Sequence, residues 1–231
     1  MAKLLYLANG AKKYAPGRLD QFFERQNLSV DVFWAFNNEF PESLDEYEGI
    51  FLSGSPHGAY EDIPFIHREH DLIREGAARN IPMLGLCFGH QILASALCGR
   101  EQVFRRESCE VGYKWLDVHA PAERDLLCGG FNKTTHMFVW HNDEVRAGHP
   151  NMQIIASSDV CPNHIWRFRD QPIWGVQGHP EIPMADAREW FESVRSRLEH
   201  DGANIEDLLA QASDADDGKT MLSRFAKLLH G

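Results

Sequence analysis

The pentapeptide Gly85-Leu86-Cys87-Phe88-Gly89 constrains the fold of this chain more than any other stretch. It closes the apolar run Ile81–Leu86 and opens a segment, Gly89–Cys98, whose Ile92, Leu93, Ala96 and Leu97 recur at helical spacing. A cysteine on so tight a strand-to-helix turn needs small neighbours, because the backbone there is crowded. Such a turn aims its side chain out at the carboxyl edge of a sheet, where open α/β folds bind ligands. It also sets Cys87 at a helix N-terminus, whose dipole and free N–H groups favour a thiolate. The same five residues also fit a buried structural cysteine, so alone they do not fix a function.

The surrounding pattern is that of a sheet wrapped by helices. Lys3–Ala8, Ser29–Trp34 and Tyr47–Ser53 read as strands and Phe65–Ala78 as a helix. This alternation predicts a mostly parallel sheet with helices on both faces. In the second half Gln102–His119, Phe138–Val145 and Gln153–Phe168 read as consecutive short strands, an antiparallel extension, and Ile173–Gln177 adds one more. Met184–Leu198 reads as one helix with Ala187, Trp190, Phe191, Val194 and Leu198 on its apolar side. Ile205–Leu229 carries two helical patterns split by an acidic, solvated loop near Asp214–Gly218. No repeat or linker divides the chain. We therefore expect one domain over 1–231, with a motif-bearing core at about 4–195 and a helical tail at about 203–231.

Charge narrows the partners. With 23 basic and 34 acidic residues the net charge is −11, which argues against a nucleic-acid or anionic-membrane surface. The five cysteines form no Cys-x-x-Cys pair. The N-terminus lacks a signal-peptide pattern, and no apolar run approaches the ~20 residues that span a bilayer. The expected setting is a reducing cytoplasm.

Two further segments complement the elbow. In Gly178-His179-Pro180-Glu181, at the end of a predicted strand, residues two apart face one side, so His179 and Glu181 lie together. Pro180 holds that extended geometry. A cysteine nucleophile needs a base, and the base needs a group to orient it; His179 and Glu181 suit those roles. His-x-Glu also occurs in metal sites, but no third ligand stands out among the scattered histidines. Ser53-Gly54-Ser55-Pro56 closes the third strand, where a backbone N–H can join that of Phe88 in an oxyanion hole. Other features read blandly. His67-Arg68-Glu69-His70 fits a solvated helix face, and Cys98 an inert thiol on a buried one. His57 is a loop histidine or a substrate contact, Trp140 a pocket wall or core. Gly218-Lys219-Thr220 lacks the first glycine of a P-loop and a preceding strand, and reads as the start of the last helix.

Taken together, Gly85-Leu86-Cys87-Phe88-Gly89-His90-Gln91 and, about 90 residues downstream, Gly178-His179-Pro180-Glu181 resemble a class I, triad-type glutamine amidotransferase domain. The run Ser53–Asp62 and the block Val139-Trp140-His141-Asn142-Asp143 are most similar to the amidotransferase half of GMP synthetase and its stand-alone relatives. The resemblance extends from about Leu4 to Arg195. It implies a flavodoxin-like, doubly wound fold. It also implies that Cys87 attacks a γ-glutamyl carbonyl, with His179 shuttling the proton, Glu181 holding His179, and Ser55 and Phe88 supplying oxyanion N–H groups. Gly54, Gln91 and the backbone around His141, Asn142 and Asp143 would then hold the glutamyl group. No metal or organic cofactor is implied.

Two positions depart from the family pattern. Gly54-Ser55-Pro56 stands where the family often has Gly-Gly-Pro, and Asn142 stands for the glycine of His-Gly-Asp. Asn tolerates left-handed backbone, which would preserve that block. The chain shows no Ser-Gly-Gly-x-Asp-Ser loop of an ATP-using synthetase domain. The resemblance thus implies a stand-alone γ-glutamyl hydrolase or peptidase, a glutaminase subunit that hands ammonia to a synthetase, or a non-catalytic relative. A protease-like relative is disfavoured, because Phe88, not a base, follows Cys87.

Overall fold

The computed structural model describes residues 1–10, 19–182, 184–212 and 216–231. Among these residues nine strands form one sheet in the order β2-β1-β3-β4-β9-β8-β7-β5-β6. The first five, β2 (Ser29–Phe33), β1 (Lys3–Leu7), β3 (Gly49–Leu52), β4 (Met83–Leu86) and β9 (Ile173–Val176), are parallel. This is the flavodoxin-like order of a doubly wound sheet. The predicted antiparallel extension follows as β8 (Ile165–Phe168), β7 (Met152–Ser157), β5 (Val103–Val118) and β6 (Thr134–Val145). The run predicted at 153–168 is thus two strands, and the strand expected at 102–119 is continuous apart from a bulge between Arg105 and Glu110.

Strand alternation builds a core on each face. Leu5, Leu7, Ile50, Leu52 and Ile173 pack toward α2 (Pro64–Ala78) and α3 (Phe88–Cys98). Their neighbours Leu4, Tyr6, Phe51, Trp174 and Val176 pack toward α1 (Leu19–Arg25) and α7 (Asp216–Leu228). A third cluster joins Tyr113 and Phe138 of the β5–β6 hairpin to α4 (Met184–Ser193), α5 (Arg195–His200) and α6 (Ile205–Gln211). Among the described residues no helix is long and apolar enough to cross a membrane.

Several expectations are corrected. The α1 helix had no counterpart in the sequence reading; it is seven residues long and buries only Leu19 and Phe23. The helix expected over 184–198 breaks at Val194 (φ −119°, ψ 15°). Beside the break, Ser193 Oγ donates to Trp190 O at 2.7 Å, a side-chain bond that competes with the helical ladder. The acidic segment also differs: α7 already begins at Asp216, so Gly218 is helical, while residues 213–215 lie outside the described residues.

Half of the supposed solvated face of α2 is interior, for Glu69 and His70 are buried. Glu69 Oε1 accepts from Asn9 Nδ2 at 2.9 Å, and its Oε2 has no partner among the described residues. Burial pushes the Glu69 carboxyl up to about 8 from an ordinary 4.5. The folded chain therefore keeps a proton that the unfolded chain loses above pH 4.5. Its stabilising contribution is complete below that pH and is lost as pH rises through about 8, by at most ~1.4 kcal/mol per pH unit. Chemical denaturation across this range should show Glu69→Gln declining less than the wild type and surpassing it at the alkaline end. Parallel profiles would contradict the burial of a neutral Glu69.

Candidate active site

Two glycines force the geometry of the elbow. A Cβ at Gly89 would overlap the Leu52 carbonyl, and one at Gly85 would overlap that of Gly89. These contacts draw α3 onto the ends of β3 and β4, leaving one residue in which to reverse the chain. Cys87 makes that reversal at φ 54°, ψ −106°. A non-glycine residue held there stores on the order of 1–3 kcal/mol of strain. Both neighbouring elements pin it: Cys87 N donates to Val176 O at 2.8 Å, and Cys87 O accepts from Gln91 N at 3.2 Å. The helix expected from Gly89 starts at Phe88, immediately after the cysteine.

His179 is carried in from the end of β9 and fixed to β6, its N–H donating to Phe138 O at 2.8 Å. Its Nδ1 lies 2.7 Å from Glu181 Oε1, and Cys87 lies close enough to act on the ring electrostatically. Burial alone would lower the His179 pKa. The charges of Glu181 and of the Cys87 sulfur outweigh it, so the imidazolium persists well above the usual histidine range. Gly54 closes over both groups: a Cβ there would stand 3.6 Å from Cys87 Cβ and 3.8 Å from His179 Cε1. On the outer side, a Cβ at Gly218 of α7 would come within 2.6 Å of Pro180 Cβ, so the last helix buttresses the His-Pro-Glu turn.

Beside the thiol lies a narrow cleft of about 40 Å³, lined by Ser55, His57, Gln91, Trp140, Asn142 and Asp143 among others, with Arg105 and Arg197 at its rim. Cys87 Sγ lies 3.7 Å from Trp140 O. Phe88 places its side chain in the core, so only its backbone is available to the site; as the first helical N–H it has no intrahelical acceptor. Ser55 lines the cleft, and its Oγ accepts from His57 N at 3.2 Å. His57 in turn pairs with Glu61 at 2.9 Å.

The 141–143 block is braced from behind. Gln91 Nε2 donates to Asp143 O at 3.0 Å and to Gln177 Oε1 at 3.2 Å. His141 Nδ1 donates to the same carbonyl at 2.9 Å, while its Nε2 faces Glu110 Oε2 at 3.0 Å. The expected left-handed backbone at Asn142 is not found: the residue lies within β6, opposite the β5 bulge. An extended strand accepts asparagine as readily as glycine, so the block survives for a different reason. Asp143 Oδ1 accepts from Tyr60 Oη at 3.1 Å and faces Arg105 at 3.5 Å. Burial raises its carboxyl pKa against the pull of Tyr60 and Arg105.

Sequence reasoning did not single out Tyr60, Arg105 or Arg197. Arg105 pairs in register with Asp143 across the hairpin, and only strand pairing reveals that. Nor did it foresee His141, Cys161 and His164 lying within 4.8 Å of one another, a donor set capable of holding a metal ion. As they stand, both imidazoles face the Glu110 carboxylate, at 3.0 and 3.7 Å.

Because the elbow is strained, glycine at position 87 should stabilise the chain relative to alanine. We expect Cys87→Gly to exceed Cys87→Ala by about 1 kcal/mol in denaturant unfolding, the reverse of their usual order. A less stable glycine variant would remove the strain argument.

Comparison with known proteins identifies the family and the fold. The family profile described as glutamine amidotransferase class-I matches residues 17–192. The chain is 32% identical over 145 residues to the glutamine-hydrolyzing GMP synthase of Porphyromonas gingivalis, covering 63% of this chain and 27% of that protein. It therefore spans about a quarter of that relative's length. It is 34% identical over 172 residues to a glutamine-hydrolyzing GMP synthase subunit of Haloarcula marismortui, covering 74% of this chain and 84% of the relative. In fold it superposes on a glutamine amidotransferase from Thermotoga maritima with a TM-score of 0.86 at 24% identity, covering 100% and 99% of the two chains. On the strength of the family match across most of its length, the chain belongs to the class I glutamine amidotransferases.

Proposed function

We propose that this protein hydrolyses a γ-glutamyl amide bond, acting as a free-standing γ-glutamyl hydrolase or peptidase on glutamine or a small γ-glutamyl compound. The observation that carries the reading is the line Glu181–His179–Cys87, with its sulfur on a strained elbow beside a cleft walled by polar side chains. On this reading the Cys87 thiolate attacks the γ-carbonyl carbon, and the N–H groups of Phe88 and Ser55 receive the developing oxyanion. The S–C bond forms, the C–N bond breaks, and the His179 proton leaves on the amine. A water, deprotonated by His179, then cleaves the γ-glutamyl thioester to glutamate. Gly54 leaves room at the reacting carbon, and Gln91, His141, Asn142 and Asp143 hold the glutamyl amino and carboxylate groups. No step calls for a metal or organic cofactor.

The tail belongs to the same functional unit on this reading, because Gly218 rests on Pro180. A second reading, an ammonia-donating subunit for a separate synthetase, draws support from the relatives named as glutamine-hydrolyzing subunits of GMP synthase.

Glutamate release from L-glutamine and from a panel of γ-glutamyl peptides and amides separates these readings. We expect Cys87-dependent turnover that favours a peptide or amide, abolished in Cys87→Ala and lowered roughly 10²–10⁴-fold in Glu181→Gln. Slow turnover of glutamine alone would favour the ammonia-donating role. No turnover of any substrate would overturn both.

A further inference from the structure

We propose that Arg197 anchors an anionic group on the leaving side of the substrate, so that the site takes γ-glutamyl conjugates whose released amine carries a carboxylate. The inference rests on the hydrolase reading above and names the substrate class within it.

The cleft has two chemically different ends, set by β6. Trp140 presents its carbonyl to Cys87 Sγ at 3.7 Å. Asp143 lies three residues further along the strand, roughly 10 Å away at about 3.3 Å per residue. At the Asp143 end the rim cation, Arg105, is already matched with the Asp143 carboxylate. That carboxylate, with Tyr60 beside it, suits the substrate's α-ammonium group. A glutamyl group placed there with its γ-carbon at Cys87 must send its leaving group the other way, past Trp140.

That end is built by the β5–β6 hairpin and α4–α5. Trp190 packs edge-on against Trp140, with ring centroids 5.8 Å apart, and the Arg197 guanidinium stacks over the Trp140 ring at 4.8 Å. Asp201, one helical turn beyond Arg197, is the natural counter-ion. Instead its Oδ2 accepts from Trp140 Nε1 at 2.7 Å. Two residues before Arg197, Arg195 is paired with both Glu192 and Glu199. Arg197 has no ion pair among the described residues, although it is held in place on an indole face at the cleft rim. A planar guanidinium oriented in this way is prepared for bidentate contact with a carboxylate. Ammonia leaving from glutamine brings nothing to Arg197; an amino acid or peptide leaving group brings its own carboxylate. The break at Val194 is what turns α5 so that Arg197 reaches the cleft, and it lies just past the matched family segment.

The test compares kcat/KM for γ-glutamylglycine, its C-terminal amide and L-glutamine in wild type, Arg197→Gln and Arg197→Lys. The wild type should prefer the free carboxylate over the amide by roughly ten- to hundredfold, chiefly through KM, as expected for one charge-assisted contact. Arg197→Gln should bring that ratio close to one, and Arg197→Lys should restore part of it. A wild-type ratio near one would overturn the inference while leaving hydrolysis intact. So would a ratio unchanged in Arg197→Gln, even if every rate fell together. Failure of all three substrates in the wild type would instead overturn the hydrolase reading beneath it.

Discussion

The close approach of α3 to the sheet, glycine against backbone, is the constraint on which the rest of the site depends. With no side chain at Gly85 or Gly89, the helix settles on the carbonyl ends of β3 and β4, and Cys87 absorbs the reversal in a conformation that side chains seldom adopt. The strain persists because the surroundings over-determine it. Val176 holds the Cys87 amide and Gln91 its carbonyl, while Gln91 also reaches back to Asp143. One turn thereby couples the parallel half of the sheet to the antiparallel half.

The antiparallel half positions what the elbow cannot. Phe138 O fixes the backbone of His179, and the strand that supplies this carbonyl also supplies Trp140, Asn142 and Asp143 as the cleft wall. The C-terminal helices support both from outside, α7 against Pro180 and α5 over Trp140. The charge balance is local: a buried imidazolium sits between the Glu181 carboxylate and the sulfur, so the pair is stabilised without exposing either partner to water.

Much of this was legible in the sequence, for physical reasons. Apolar strands followed by helices at regular spacing announce a doubly wound sheet, and a cysteine between glycines at a strand end announces an elbow. His179 and Glu181 share a strand end, so their alignment follows from period-two geometry. What escaped depended on contacts distant in sequence. Glu69 looked solvated because its partner, Asn9, lies just past the end of β1, beyond any helical periodicity. The break at Val194 lies beside a serine hydroxyl bonded to the preceding turn, and Asn142 lies opposite a bulge on another strand. Arg105 enters the cleft only through hairpin register, and Arg197 only because α5 is a separate helix.

On the proposed reading Cys87, paired with His179, is the nucleophile among five cysteines. Burial raises the thiol pKa of Cys98, to about 12, of Cys109, to about 11, and of Cys128 and Cys161. Limited alkylation of the folded protein with iodoacetamide near neutral pH, followed by peptide mass mapping, tests the claim directly. We predict modification at Cys87 first and by a wide margin, with the rate falling in His179→Ala. Equal or earlier modification of another cysteine, or a Cys87 rate indifferent to His179, would contradict it.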